Sequence, residues 1–305
     1  MSKSLLLTLH RWISLIGALP LCAIIATGLI LSFEPMLQLS SIGGGAIDAD
    51  KIIGLLQRYD PDGRARGFSL DAAAQRLTLQ GPNAPVIDLS TGQTVAAPSP
   101  RDGLFPWARR THERLLGQPW LVTAATCAMV VIMALGILMG WPRLRHSLAG
   151  WHKGAAWFSL PLILLSPLTG LCMAFGLSFQ ADPDLGHAAR PVGLPEAVRR
   201  VAQFHDLAQV GSIGIRGGRM MARIFEGGEW RAYALTADGL TALPRNWPRA
   251  LHEGNWSAIA GSVLNLAISV VLLGLLSTGV VLWARRQLRR PRRRGSDAPV
   301  RPGLA

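Results

Sequence analysis

The chain has little charge, little cysteine and almost no tyrosine. Only 16% of its 305 residues are charged, and it contains 3 cysteines and 2 tyrosines. Since half of the residues are hydrophobic, this composition excludes a disordered or collagen-like chain. The three cysteines, Cys22, Cys127 and Cys172, all lie in apolar stretches, so we expect no disulfide. A glycine-rich strand-to-helix fingerprint is also missing, which argues against a dinucleotide-binding domain.

Four long apolar stretches contain no Lys, Arg, Asp or Glu. A helix needs about 20 apolar residues to cross a bilayer, and all four are long enough. The first is too long for a signal peptide and lacks a small-residue cleavage pattern, which indicates a retained helix. The stretches are 12–33, 119–140, 155–179 and 259–283.

The distribution of charge predicts the orientation in the membrane. Of the net +13, the two ends and the segment 141–154 together carry +12, whereas 34–118 and 177–258 carry only +1. By the positive-inside rule, both termini are cytoplasmic and the two long segments are extracytoplasmic. The basic character therefore reflects topology and not nucleic-acid binding, and the lipid bilayer is the expected partner. The basic run at 285–294 fits either contact with anionic lipid or plain orientation.

The chain repeats a unit of apolar helix, long polar segment and apolar helix. His10 precedes Gly28, and His152 precedes Gly170, by eighteen residues, and each glycine follows a threonine. The second and fourth apolar stretches each follow a His-Glu pair. Each polar segment contains a short amphipathic helix, at 48–58 or 194–204, followed by strand-like sequence.

These patterns predict a membrane all-α four-helix bundle of two helix–loop–helix repeats, with two small α+β extracytoplasmic units. Units of about seventy residues are small for an independent core, so we expect them to pack on each other or on the helices. The predicted segments are helix 1–33, first unit 34–118, helix 119–140, cytoplasmic loop 141–154, helix 155–179, second unit 180–258, helix 259–283 and basic cytoplasmic tail 284–305.

Four of the seven histidines stand one at the start of each apolar stretch. Because the helices alternate in direction, His10 and His152 are expected near the cytoplasmic face, and His112 and His252 near the opposite face. Two imidazoles at one level, from two helices, can hold a b-type haem, so the pattern predicts two haems. Each histidine alone would also fit an interfacial anchor or a helix-end hydrogen bond.

The other three histidines are weaker candidates. His146, in the cytoplasmic loop, is an alternative to His152 as a haem ligand near the cytoplasmic face. His187 and His205 lie in the second polar unit, where surface positions are expected. External arginines, Arg109, Arg110, Arg114 and Arg249, fit either steering of an anionic chelate or a solvated surface.

The motifs LHRWISLIGALPLCAIIATGLILSFEP, WHKGAAWFSLPLILLSPLTGL and LHEGNWSAIAG with STGVVLWARR resemble those of PepSY-associated transmembrane proteins. The resemblance covers all four apolar stretches, and the polar segments look like reduced PepSY units. It implies an inner-membrane ferric-siderophore reductase with two b haems ligated by His10, His112, His152 and His252. The second stretch departs from the pattern, because it has Ala-Leu-Gly at 134–136 where the others have Thr-Gly.

The resulting hypothesis is a bacterial inner-membrane, multi-pass di-haem cytochrome that reduces a periplasmic ferric-siderophore or other ferric chelate. Electrons would come from a separate donor, either a cytoplasmic reductase or quinol. The alternative is a PepSY-based, membrane-anchored binding or regulatory protein without redox activity. A haem or iron transporter fits poorly, because the apolar stretches offer few polar groups for a path.

Overall fold

The computed structural model describes residues 2–41, 47–72, 74–81, 84–96, 103–141, 145–180, 192–236 and 239–289. It combines a set of apolar helices with one antiparallel sheet. The helices of the first half are α1 Lys3–Ile16, α2 Ala18–Leu31, α3 Glu34–Ser41, α4 Ala49–Tyr59, α5 Leu104–Glu113 and α6 Pro119–Leu138. Those of the second half are α7 Leu148–Phe158, α8 Leu160–Ala174, α9 Leu194–Ala202, α10 Trp247–Glu253 and α11 Ala258–Leu288.

Eight strands form a single sheet that draws on both polar segments. Its order is β4-β3-β2-β1-β5-β6-β7-β8, with every neighbouring pair antiparallel. The two halves of the chain therefore meet at the junction of β1 and β5, where Phe68 lies opposite Ile213. The strands are β1 Gly67–Asp71, β2 Arg76–Gln80, β3 Val86–Asp88, β4 Thr94–Val95, β5 Val210–Arg216, β6 Arg219–Glu226, β7 Glu229–Thr236 and β8 Gly239–Ala242.

Helices α4 and α9 cover one face of this sheet. Their apolar sides and the alternate inward residues of the strands form one core, as the period-two pattern of strands requires. The Asp48 side chain caps α4 by accepting a hydrogen bond from the backbone N–H of Asp50 at 3.0 Å. The best buried core residues are Ile52, Leu56, Phe68, Leu77, Val198, Val201, Ile213 and Ile224.

Among the described residues, three helical segments are long and apolar enough to cross a membrane: Ala18–Leu39, which covers α2 and most of α3, Pro119–Leu138 and Ile259–Leu288. The third apolar stretch is divided into α7 and α8, which meet at an angle of 64° and would add a fourth span only as a broken pair. The first stretch is also interrupted, at Gly17. Both interruptions lie in the turn before a proline, Pro20 or Pro161, which has no N–H to bond the carbonyl four residues back.

The expected fold class, a membrane all-α four-helix bundle with two small α+β units, is therefore wrong. The strands of the two polar segments join into one eight-stranded sheet, and within the described part of the chain three helical segments, not four, qualify as spans without a bent pair. The expectation that the units pack on each other is confirmed by the β1–β5 pairing. The amphipathic helices expected at 48–58 and 194–204 are found as α4 and α9.

Candidate functional site

His112 and His252 lie side by side. They are at the ends of α5 and α10, which come from the two halves of the chain. Their ring centroids are 5.9 Å apart, with an angle of 46° between the ring planes. The structure thus brings together two of the predicted site residues, which we call the sheet-side pair.

The imidazole of His112 is held by α2. Its Nδ1 lies 2.9 Å from the carbonyl oxygen of Ile24 and 3.3 Å from Oγ1 of Thr27. The Thr27 hydroxyl donates its own hydrogen to the carbonyl of Ala23 at 2.7 Å, so toward the imidazole it can only accept. A Cβ atom on Gly28 would stand 3.1 Å from Cε1 of His112, so a larger residue there would require the ring to shift.

His252 is held by α8 in the same way. Its Nδ1 lies 3.0 Å from the carbonyl oxygen of Ser166 and 3.1 Å from Oγ1 of Thr169. The Thr169 hydroxyl donates to the carbonyl of Leu165 at 2.7 Å. A Cβ atom on Gly170 would again stand 3.1 Å from Cε1 of the imidazole. The sequence repeat is therefore also a repeat of contacts.

His152 uses a third Thr-Gly motif, on α11. Its Nδ1 lies 2.8 Å from Oγ1 of Thr278, whose hydroxyl donates to the carbonyl of Gly274 at 2.7 Å. A Cβ atom on Gly279 would stand 3.7 Å from Cε1 of His152, which is ordinary contact.

His10 packs on α6, where the motif lacks its threonine. Its Nδ1 lies 2.9 Å from the carbonyl oxygen of Ile132. Leu135 takes the place of the threonine, and a Cβ on Gly136 would meet no atom within 4 Å. His10 and His152 are the two remaining predicted ligands, each held by a helix of its own half of the chain. We call these two residues the far-side pair.

The hydrogen bonds fix the tautomer of all four imidazoles. A carbonyl oxygen, or a hydroxyl whose hydrogen is already donated, can only accept, so each Nδ1 carries the hydrogen. Within the described ranges, no hydrogen bond reaches the Nε2 atom of any of the four. A histidine with Nδ1–H donated to a protein acceptor presents a lone pair on Nε2, as metal-ligating histidines do.

The sheet-side imidazoles are neutral as well as oriented. Burial, with the nearby His252 adding to it, lowers the pKa of His112 to about 4. Burial also lowers the pKa of His252. The neutral imidazole is the form that binds a metal.

The spacing of the sheet-side pair fits one metal ion between two imidazoles. Two rings bound at about 2.0 Å from one ion would have centroids roughly 6 Å apart, close to the 5.9 Å observed. Across the described segments, no three His, Cys, Asp or Glu side chains come together as a metal site. Two protein nitrogen ligands at each level suit haem iron, because the porphyrin supplies the other four ligands of the metal.

Orphaned polar atoms provide a second test of this fit. Arg11 directly follows His10, and Trp256 follows His252 by four residues, so an unsatisfied donor is close in sequence to each pair. A buried donor without a partner is costly, and the propionate carboxylates of a haem would satisfy such donors. The buried side-chain atoms without a partner among the described residues are Arg11 Nε, Trp256 Nε1, Ser262 Oγ and Trp283 Nε1.

Arginines surround the approach to the sheet-side pair. Arg109 and Arg249 each stand three residues before a site histidine, and each is paired with glutamate. Arg109 bonds Glu34 and lies 3.9 Å from Glu113, and Arg249 lies 3.6 Å from Glu253. Arg110 is half-buried on α5 and Arg114 is exposed just after it.

Arg223 of β6 is a functional candidate that the sequence analysis missed. Its guanidinium lies 4.8 Å from the ring centroid of Trp230, and Trp230 Nε1 donates to Gln38 of α3 at 2.9 Å. The Arg223 side chain is solvent-exposed, yet desolvation by the surrounding protein lowers its pKa. The negative charge of Glu253 opposes this shift. The positive charges of Arg216, Arg109 and Arg249 add to it. Arg223 lies on the face of the sheet that α4 and α9 do not cover, and only the strand register could have shown this.

The remaining histidines are not part of either pair. His146 is exposed before α7. His205 packs against Tyr233 at a centroid distance of 5.2 Å, within the sheet domain. His187 and most of the predicted tail, from 290 onward, lie outside the described residues.

A family model described as the PepSY-associated TM region matches residues 7–286, which include both histidine pairs and the whole sheet. The chain belongs to the PepSY-associated TM region family. The resemblance inferred from the sequence motifs is thus confirmed at the level of the family. Membership in the PepSY-associated TM region family, with the three apolar helices, identifies a membrane protein. No curated protein matches the chain significantly.

Proposed function

We propose that this protein is a di-haem b-type cytochrome of the bacterial inner membrane that transfers electrons to a periplasmic ferric chelate. The observation that carries the proposal is the sheet-side pair: two neutral imidazoles from different helices, both held at Nδ1, with ring centroids 5.9 Å apart. His112 and His252 would ligate one haem, and His10 and His152 the other. Bound haem would supply one-electron chemistry at iron.

The residues of the chain provide ligation, orientation and shielding from water. Backbone carbonyls of Ile24, Ser166 and Ile132 and the Thr278 hydroxyl hold the four rings, so no ring has to reorient when an electron arrives. No proton-transfer group is required, because the reaction is an electron transfer alone.

The direction of transfer follows from the charge distribution. Both ends and the segment 141–154 are strongly basic, so by the positive-inside rule they would lie in the cytoplasm and the sheet in the periplasm. A separate donor, a cytoplasmic reductase or quinol, would be oxidised at the far-side pair. The acceptor would be reduced from Fe(III) to Fe(II) at the sheet-side pair, and a chelator of the siderophore type then releases the iron, since it holds Fe(II) poorly.

The acceptor surface would be the second face of the sheet, the face that carries Arg223. Arg223 provides a positive charge there that is stacked on Trp230 and has no carboxylate within 4.0 Å among the described residues. Such a group attracts an anionic ligand. A ferric-siderophore with acidic chelating groups has that chemistry.

Haem content tests the proposal directly. Protein purified from haem-replete cells should give a reduced-minus-oxidised spectrum of two low-spin b haems per chain. His112→Ala and His252→Ala should each remove one haem, and His10→Ala and His152→Ala the other. His146→Ala and His205→Ala are matched controls that should retain both. Four site variants that all keep two haems would refute the ligand assignment.

The sheet supports a second candidate, a membrane-anchored binding or regulatory protein without redox activity. Opposite the α4–α9 core, its second face presents small polar residues, including Ser69, Ser212 and Thr78, which are suited to contact with a partner. Wild-type protein without haem would favour this candidate, and the histidines would then be structural.

A further inference from the structure

The two histidine pairs differ in how many acceptors each Nδ1–H meets. In the sheet-side pair, each imidazole has two: a backbone carbonyl and a threonine hydroxyl. In the far-side pair, each has one within the described part of the chain: Thr278 for His152, and the Ile132 carbonyl for His10. Leu135 occupies the place where His10 would meet a threonine.

Additional acceptors make an imidazole a stronger donor to a metal. Hydrogen bonding of Nδ1–H shifts electron density toward Nε2 and raises the basicity of the ligand. A more basic axial ligand stabilises Fe(III) relative to Fe(II) and so lowers the midpoint potential. The pair with more acceptors should hold the iron of lower potential.

We propose that Thr27 and Thr169 are positioning residues that lower the midpoint potential of the sheet-side haem below that of the far-side haem. The inference rests on the proposed function, since it concerns the haems proposed there. It also fits the proposed acceptor, because a chelate that binds Fe(III) far more tightly than Fe(II) is reduced only by a low-potential donor.

The proposal separates an electronic role from an ordinary structural one. Threonine in a helix often bonds the carbonyl four residues back, and Thr27 and Thr169 do so. Thr126 of α6 is a matched control: it is buried, its hydroxyl donates to the Val122 carbonyl at 2.8 Å, and within the described residues no hydrogen bond joins it to any of the four histidines. Thr126→Val therefore removes the helix bond alone.

The fourth motif allows the reverse experiment. Leu135 stands three residues after Ile132, as Thr27 stands three residues after Ile24. Leu135→Thr should place a second acceptor near Nδ1 of His10 and lower the potential of the far-side haem.

Spectroscopic redox titration of the purified full chain tests the inference, with haem and protein quantified on each sample. The loss of one transition in His112→Ala or His152→Ala assigns the two midpoints. Thr27→Val and Thr169→Val should each raise the lower midpoint and leave the other unchanged. A tenfold loss of the preference for Fe(III) would appear as a rise of about 59 mV.

Each outcome decides between the two proposals. Suppose that the protein holds two haems, but Thr27→Val and Thr169→Val shift the midpoint potentials no more than Thr126→Val does. This result would overturn the inference and leave the proposed function intact. A sheet-side haem of higher potential than the far-side haem in the wild type would do the same. Wild-type protein without haem would overturn both.

Discussion

Gly28 of α2 lies so close to His112 of α5 that a Cβ atom on the glycine would stand 3.1 Å from Cε1 of the imidazole. The same distance is found between Gly170 and His252. This separation is shorter than ordinary van der Waals contact, so an added methyl group must displace the ring. At Gly136, the equivalent place on α6, a Cβ would meet nothing within 4 Å.

Gly28→Ala and Gly136→Ala should therefore behave differently. Gly28→Ala overpacks the contact with His112 and should destabilise the protein by about 1–2 kcal/mol. It should also reduce the occupancy of the sheet-side haem. Gly136→Ala should keep both haems and gain up to ~1 kcal/mol from the better helix propensity of alanine. The haem-to-protein ratio and Tm of each variant measure this, and identical behaviour of the two variants would contradict it.

The junction between the two halves of the sheet rests on a second pair of glycines. Gly67 of β1 lies opposite Gly214 of β5, and a Cβ on Gly67 would stand 2.6 Å from the Gly214 Cα. The carbonyl oxygen of Ile213 would also lie 2.6 Å from this Cβ. Because both atoms belong to the backbone of β5, the two strands themselves would have to separate. Gly67→Ala should lower the free energy of unfolding by about 1–3 kcal/mol.

Gly81→Ala is the control for this change. It lies just after β2, and a Cβ there would meet nothing within 4 Å. Thermal unfolding, followed by loss of the β-sheet circular dichroism signal, should show a lower Tm for Gly67→Ala only. Equal Tm values for the two variants would mean that the β1–β5 pairing does not limit stability.

The sequence predicts local structure here better than it predicts assembly. The amphipathic pattern around Ile52 and Leu56 indicates α4, since a period near 3.6 is visible within one segment. The histidines could be found because each begins an apolar stretch. The joining of the strands into one sheet could not be found, because Phe68 and Ile213 are paired across nearly half of the chain and no local pattern records that contact.

The partners of the histidines were hidden for the same reason. The Thr-Gly motif is visible in the sequence, but Thr27 holds His112, a residue 85 positions away, and not the His10 of its own repeat. The departure at Leu135 was also visible, yet its neighbour His10 became known only from the packing of α1 on α6. Arg223 required the register of β5 and β6.

Tyr233 should titrate at unusually high pH. Its hydroxyl donates to Glu226; burial, followed by this bond, raises the pKa of Tyr233, and the same bond lowers the pKa of Glu226. Because the pKa of Tyr233 is higher in the folded than in the unfolded protein, protonated Tyr233 stabilises the fold. This stabilisation is fully present below the unfolded-state pKa, near 10, and is lost as the pH rises through the folded-state pKa.

Absorbance of tyrosinate can isolate this group, because the chain has only 2 tyrosines. In a Tyr59→Phe background, the remaining signal belongs to Tyr233. Its midpoint should lie above ~10 and should fall when Glu226→Gln is added, although burial keeps part of the shift. A midpoint at the ordinary value in both proteins would show that the Tyr233–Glu226 bond does not form.

Arg223 should determine the preference for an anionic acceptor. The Arg223 side chain is exposed, and its guanidinium lies over the ring of Trp230. Arg223→Gln removes the charge and keeps a polar side chain of similar reach. The rate constant kcat/KM for a negatively charged ferric chelate should fall about tenfold at low ionic strength, as expected for electrostatic steering. High salt should reduce the difference between variant and wild type, because it screens the charge.

The charge of the chelate provides the internal control. A neutral ferric chelate should be reduced at the same rate by Arg223→Gln and by wild type, which shows that electron transfer itself is intact. Arg64→Gln is the matched variant, since Arg64 is an exposed arginine of the same sheet domain paired with Asp62 at 3.1 Å. It should leave both rates unchanged. If Arg223→Gln lowered the reduction rates of neutral and anionic chelates equally, recognition of charge would be excluded. Arg223 would then act in the packing of the sheet on α3, through Trp230 and Gln38.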